Sequence, residues 1–109
     1  MTKEYLLQRE CVRLFNLLYP NLHGLLFLNY NNPRSSKNGY HLKAIGLISG
    51  VADMSLLTRN GIVFIEFKTE KGKQSELQKQ WEQQVIAFGY SYVIIRTQQQ
   101  FLTLLKKHF

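Results

Sequence analysis

Four apolar residues, Ile62-Val63-Phe64-Ile65, run without a break into Glu66-Phe67-Lys68, and this junction constrains the chain more than any other stretch. A β-branched and aromatic run of that length reads as a buried strand. Residues 51–58 read as a second strand, and Arg59-Asn60-Gly61 between the two contains Asn-Gly, a strong hairpin signal. The expected unit is therefore a hairpin of residues 51–58 and 61–68 whose second strand ends in a carboxylate and an ammonium. The only aspartate of the chain, Asp53, lies at the start of the first strand.

With Asn60-Gly61 as a two-residue loop, Arg59 pairs with Ile62 and Asp53 stands opposite Lys68. Glu66 is then one diagonal step from Asp53, roughly 7–8 Å at Cα. A four-residue loop places Asp53 directly opposite Glu66. Side chains alternate with period two, so either even loop brings Asp53, Glu66 and Lys68 to one face, and only an odd loop separates them. Two carboxylates that close repel and lose hydration unless a cation or proton is shared. A hard divalent ion resolves this, since Mg²⁺ commonly takes one or two carboxylates plus waters and substrate phosphate. Lys68 beside them is suited to position or deprotonate an attacking water, or to stabilise charge on a phosphate. The same spacing also fits a structural Asp53–Lys68 ion pair with Glu66 solvated at the strand end.

The rest of the chain supplies helices around this hairpin. Leu7, Cys11, Leu14 and Leu18 recur at helical spacing over residues 2–19, closed by Pro20. Residues 25–30 read as a short strand entering the loop Asn31-Asn32-Pro33, and residues 31–50 as mostly irregular, with a short helical turn near 41–47. Ser75-Glu76-Leu77-Gln78 fits a capping box, after which Leu77, Trp81, Val85 and Phe88 keep helical spacing to a stop at Gly89. Residues 90–96 form a strand and 98–107 a closing helix. The order is α-β-β-β-α-β-α in one domain of 109 residues.

Fourteen Lys and Arg against seven Asp and Glu give a net charge of +7, which favours a polyanionic partner. No apolar run approaches the ~20 residues of a membrane span, and no signal sequence opens the chain, so the expected location is cytoplasmic. A lone cysteine, Cys11, excludes an internal disulfide and reads as a core thiol. His23, His41 and His108 lack zinc-ligand spacing.

Asp53, followed after a hairpin by Glu66-Phe67-Lys68, resembles the D…ExK signature of the PD-(D/E)XK nucleases. The longer pattern Gly50-Val51-Ala52-Asp53-Met54, then Phe64 through Gly72, then Gln74-Ser75-Glu76-Leu77-Gln78-Lys79-Gln80-Trp81, resembles more narrowly the VRR-NUC family, the virus-type replication and repair nucleases. The similarity runs over nearly the whole chain. One departure is Ala52, where that family usually has proline before the aspartate.

The resemblance implies a restriction-endonuclease-like α/β fold, a mixed central sheet flanked by helices, and Mg²⁺- or Mn²⁺-dependent hydrolysis of DNA phosphodiesters, in a bacterium or a phage-infected host. It makes Asp53 and Glu66 metal ligands with the Phe67 carbonyl as a third, Lys68 the catalytic lysine, and Gln78 an active-site residue on the following helix. Family members often add a glutamate from the first helix. Glu4 and Glu10 compete for that place, and Glu4 lies nearer the apolar stripe on a helical wheel. Its position in a first turn is equally what the helix dipole favours in any protein. Lys71 and Lys73, directly after the strand, are the best-placed phosphate contacts, with Lys43, Arg34 and Lys37 in the polar loop as further ones. Expected partners are branched DNA, of which a four-way junction is one form, and a second copy of the chain in a homodimer. A catalytically silent DNA-binding module and a nuclease acting on RNA are the competing readings.

Overall fold

The computed structural model describes residues 1–30 and 36–109, with the backbone alone for 36–38. Helix α1 (Lys3–Leu18) starts where the Thr2 hydroxyl accepts the Tyr5 N–H at 3.0 Å and ends at Tyr19, whose N–H reaches the Phe15 carbonyl. A single 3₁₀ turn (Pro20–Leu22) leads into β1 (Leu26–Leu28), and α2 (Ser36–Ala44) follows. The hairpin is β2 (Met54–Thr58) and β3 (Gly61–Phe67); α3 (Glu76–Ala87), β4 (Ser91–Ile95) and α4 (Gln98–His108) complete the chain.

The strands form one mixed sheet in the order β1-β2-β3-β4, antiparallel except for the parallel β3–β4 pair. That parallel pair requires a crossover, which α3 provides. Alternation along β3 sorts its side chains: Val63, Ile65 and Phe67 enter the main core, while Phe64 and Glu66 point to the α3 side. The core joins Cys11 and Phe15 of α1, Met54 and Leu56 of β2, Ile95 of β4, and Phe101, Leu104 and Leu105 of α4. On the other face Trp81 of α3 packs edge-on against Phe64, ring centroids 4.9 Å apart, and against Tyr92.

Four expectations change. Thr58 pairs with Gly61, so the loop is Arg59-Asn60 and not Asn60-Gly61. The primed turn expected of Asn-Gly needs φ above zero at both residues; here only Gly61 has it, at 118°. The Thr58 hydroxyl holds the turn, accepting the Asn60 N–H and donating to the Gly61 carbonyl. The loop remains even, so the face assignment survives, and the register brings Asp53 opposite Glu66, not Lys68. The second change is α2, a nine-residue helix in a stretch expected to be mostly irregular, which inserts a helix between the first two strands. The third is the α1 stripe: Phe15 is fully buried, whereas Leu18 is half exposed. The fourth is that Leu77 and Phe88 of the α3 pattern are exposed, leaving Trp81 and Val85 as its inner residues.

Cys11 is a buried core thiol, pushed up to about 12 by burial. No helix among the described residues is long and apolar enough to cross a membrane.

Candidate active site

Asp53 immediately precedes β2 and Lys68 immediately follows β3, so both charged groups stand at one end of the sheet. Between them in space is Glu66, the penultimate residue of β3, only 1% exposed. Asp53, Glu66, Lys68, Gln78 and Glu4 line a common cavity of about 220 Å³, with Gly50, Val51, Ser75 and Leu77 completing its wall.

Each carboxylate has its own support. Asp53 Oδ2 accepts the Phe67 N–H at 2.7 Å, a bond that ties the aspartate to the strand carrying Glu66. The Asp53 main chain is held by Asn29, whose N–H donates to the Asp53 carbonyl and whose side-chain amide donates to the Ala52 carbonyl. The buried Ser55 hydroxyl in turn donates to Asn29 Oδ1 at 2.9 Å. Asn29 is thus a brace that sequence reasoning missed; its only signal was a polar residue ending the apolar run of β1.

Glu66 Oε2 accepts from Gln78 Nε2 at 2.9 Å and lies 3.6 Å from the Lys68 ammonium. The direction of the Gln78 amide is set by the helix cap. Its Oε1 accepts the Ser75 N–H at 2.8 Å while the Ser75 hydroxyl accepts the Gln78 N–H, a complete capping box. With the oxygen engaged there, the amide nitrogen faces Glu66. Glu66 Oε1, by contrast, is buried with no hydrogen-bond partner among the described residues. Burial, and next the Asp53 charge, push the Glu66 carboxyl up to about 8 despite Lys68. Burial and then the Glu66 charge also push the Tyr92 phenol upward, and Gln74 Nε2 donates to its hydroxyl.

Lys68, 8% exposed, sits between two acids, 3.6 Å from Glu66 and 3.9 Å from Glu4 Oε1. Glu4 therefore reaches the site as a partner of the lysine. Glu10 instead forms a 2.6 Å ion pair with Arg13. Of the proposed phosphate contacts, Lys71, Lys73 and Lys43 are exposed. Arg34 lies outside the described residues, and Lys37 falls on α2 where only the backbone is described.

Gly50 contributes geometry that composition does not reveal. Its φ is 92°, and a Cβ there would stand 2.7 Å from the Leu77 backbone, so only glycine lets this loop close on the first turn of α3.

Among the described residues no group of three or more His, Cys, Asp and Glu side chains forms a ready metal cage. The donor set is instead two adjacent carboxylates, one with a buried oxygen lacking any donor. That set fits a hard divalent ion that keeps several of its waters, as Mg²⁺ does. No protein-family model, no curated protein and no solved structure matches the chain.

Proposed function

We propose that the protein is a metal-dependent endodeoxyribonuclease with a restriction-endonuclease-like arrangement of sheet and helices, related to the VRR-NUC nucleases, acting as a homodimer on branched DNA. The observation that carries this reading is Glu66: a carboxylate buried beside Asp53, with one oxygen left without a donor, in a cavity that also holds an ammonium. Such a cluster costs stability in a protein that only binds DNA. A silent binding module has no use for it.

Mg²⁺ or Mn²⁺ bound by Asp53 and Glu66, with the Phe67 carbonyl as the third ligand suggested by the resemblance, would neutralise phosphate charge and acidify a water. The chain's own groups do the remainder. The Phe67 N–H fixes the Asp53 carboxylate, and Gln78 orients Glu66. Lys68, held by Glu4 and Glu66, lines the cavity where a phosphate would enter, placed to donate to its oxygens or to steer the attacking water. Hydrolysis forms a bond from the water oxygen to phosphorus and breaks the bond to the leaving sugar oxygen. The net charge of +7 favours capture of the polyanion.

The test is a cleavage panel of single-stranded, duplex, flapped and four-way-junction DNA and a matched RNA, with Mg²⁺, Mn²⁺ or chelator. Metal-dependent cutting of DNA, strongest on branched substrates and lost in Asp53→Ala, is the expected result. Cleavage of RNA alone would reassign the substrate, and binding without cleavage under every metal condition would leave the silent module as the correct reading. Light scattering at micromolar concentration checks the dimer.

A further inference from the structure

A second cavity, of about 460 Å³, lies beside the carboxylate site and is lined by Lys3, Leu7, Thr69, Glu70, Lys71 and Arg96. Consecutive residues line the two cavities on two chain segments. In the first turn of α1, Lys3 lines one and Glu4 the other; at the exit from β3, Lys68 lines one and Thr69 the other.

Three cations and one acid surround this space. Among the described residues none of Lys3, Lys71 and Arg96 forms an ion pair with a carboxylate, whereas the charged groups next door are mutually paired. Arg96 is held in place by neutral acceptors: its Nη1 donates to the Thr69 carbonyl at 2.7 Å and to the Gly72 carbonyl at 2.7 Å. Those bonds draw on one nitrogen of a guanidinium that carries five donors. They also fix the loop that carries Lys71, and Lys68 is tied to the same strand end through its N–H to the Ile95 carbonyl. The result is a cavity of net positive charge, three cations against the single carboxylate Glu70, with Arg96 held in place; Thr69 follows Lys68 directly, and Lys3 precedes Glu4, the acid that pairs with Lys68. Leu7 and the Thr69 backbone turn give it an uncharged wall.

We propose that this cavity is a second phosphate subsite, which takes the internal phosphodiester adjacent to the one cleaved and so aligns the strand across Lys68. This rests on the nuclease reading for the meaning of "cleaved", but the binding chemistry belongs to the cavity. Lys3 and Arg96 thereby join Lys71 as substrate-binding residues. Lysine supplies a point charge and arginine a planar fork, both common phosphate partners.

The experiment measures equilibrium binding of DNA by fluorescence anisotropy in Ca²⁺, alongside cleavage in Mg²⁺. The proteins are wild type, the double variant Lys3→Gln/Lys71→Gln, and a charge-matched control, Lys106→Gln/Lys107→Gln, on the exposed end of α4. The ligands are oligonucleotides carrying one neutral methylphosphonate at each successive internal position, and the parent with and without a 5′-phosphate. The expected result is a salt slope about 2 units shallower for the first double variant and unchanged for the control. Wild type should lose about tenfold in affinity at one internal position next to the cut, and the double variant should show no such loss. Equal affinity and slope for wild type and the double variant would overturn the subsite, whether or not the protein cleaves. So would an effect confined to the terminal phosphate, or an equal loss in the control. Failure of wild type to cleave any substrate while the binding results hold would refute the nuclease function alone.

Discussion

Replacing Glu66 by glutamine should stabilise the metal-free protein, and by more at pH 8 than at pH 5. Burial and the neighbouring Asp53 charge raise the folded Glu66 carboxyl from 4.5 to about 8. The unfolded chain gives up this proton near its ordinary value while the folded chain keeps it. Folding therefore carries a proton between those limits, and stability contributed by the protonated group is full below about pH 4.5 and is lost as pH rises through 8. From 4.5 to 7 the loss amounts to about 3 kcal/mol at 1.36 kcal/mol per unit. Glutamine has the same shape, cannot ionise and can donate to Asp53, so it removes that pH-dependent penalty. The gain is partly offset because Lys68 loses one of its two acidic partners. In a domain of this size 3 kcal/mol corresponds to about 13 °C in melting temperature, before that offset.

The assay is thermal and urea unfolding of wild type and Glu66→Gln from pH 5 to 8, with chelator and with excess Mg²⁺. Other groups are common to both proteins and cancel in the difference. In chelator the difference should grow with pH. In Mg²⁺ it should shrink or reverse, because the ion stabilises only wild type. Mg²⁺ binding at pH 7 should also displace close to one proton, read by calorimetry in buffers of different ionisation enthalpy. A stability difference that is flat from pH 5 to 8 would refute the buried, protonated carboxyl.

On the proposed role of the ammonium with water and phosphate, Lys68→Ala should lose about 10²–10⁴-fold in cleavage rate while calorimetry still detects Mg²⁺; lost metal binding would contradict that role. Gln78→Glu keeps the capping chemistry at Ser75 but sets a second negative charge against Glu66 where an amide stands 2.9 Å away. It should leave the helix content of the circular dichroism spectrum intact and lower cleavage about tenfold or more, and unchanged cleavage would show that the amide does not act on Glu66. Gly50→Ala should cost about 2 kcal/mol or more in urea unfolding, from its positive φ and the 2.7 Å approach to Leu77. It should also depress cleavage through the displaced first turn of α3, and a neutral result would mean the loop is free to shift.

Local signals were the legible part of the fold. The Ser75 box and Gly89 act within a few residues of themselves, and both mark helix ends: the Gly89 N–H reaches the Ile86 carbonyl and the Tyr90 N–H the Val85 carbonyl, closing α3. The convergence of Asp53 and Glu66 was legible because it depends only on loop parity. The register itself was not, since Asn-Gly marks a turn without saying which pair closes it, and the Thr58 hydroxyl decided that. Helix α2 was hidden because Ser36-Lys37-Asn38-Gly39 carries no apolar period. Phe15 takes the inner place over Leu14 and Leu18, lying in the main core with the Tyr19 and Phe109 rings against it. Asn29 and Arg96 act on residues more than twenty positions away, through main-chain carbonyls that no side-chain pattern encodes.

The asymmetry between the two carboxylates follows from the same division. Asp53 accepts a peptide N–H that the β3 strand end provides, whereas Glu66 has one neutral amide and a lysine shared with Glu4 and is pushed up by burial and the Asp53 charge. The proton of the metal-free pair therefore belongs on Glu66, and an entering cation must displace it there. Gln78 and Gly50 hold the wall of the cavity by the same contacts that start α3 and seat the preceding loop on it. Loss of either contact must change helix entry and Glu66 environment together, so stability and site function are coupled through the first turn of α3 and not through the main core on the opposite face of the sheet.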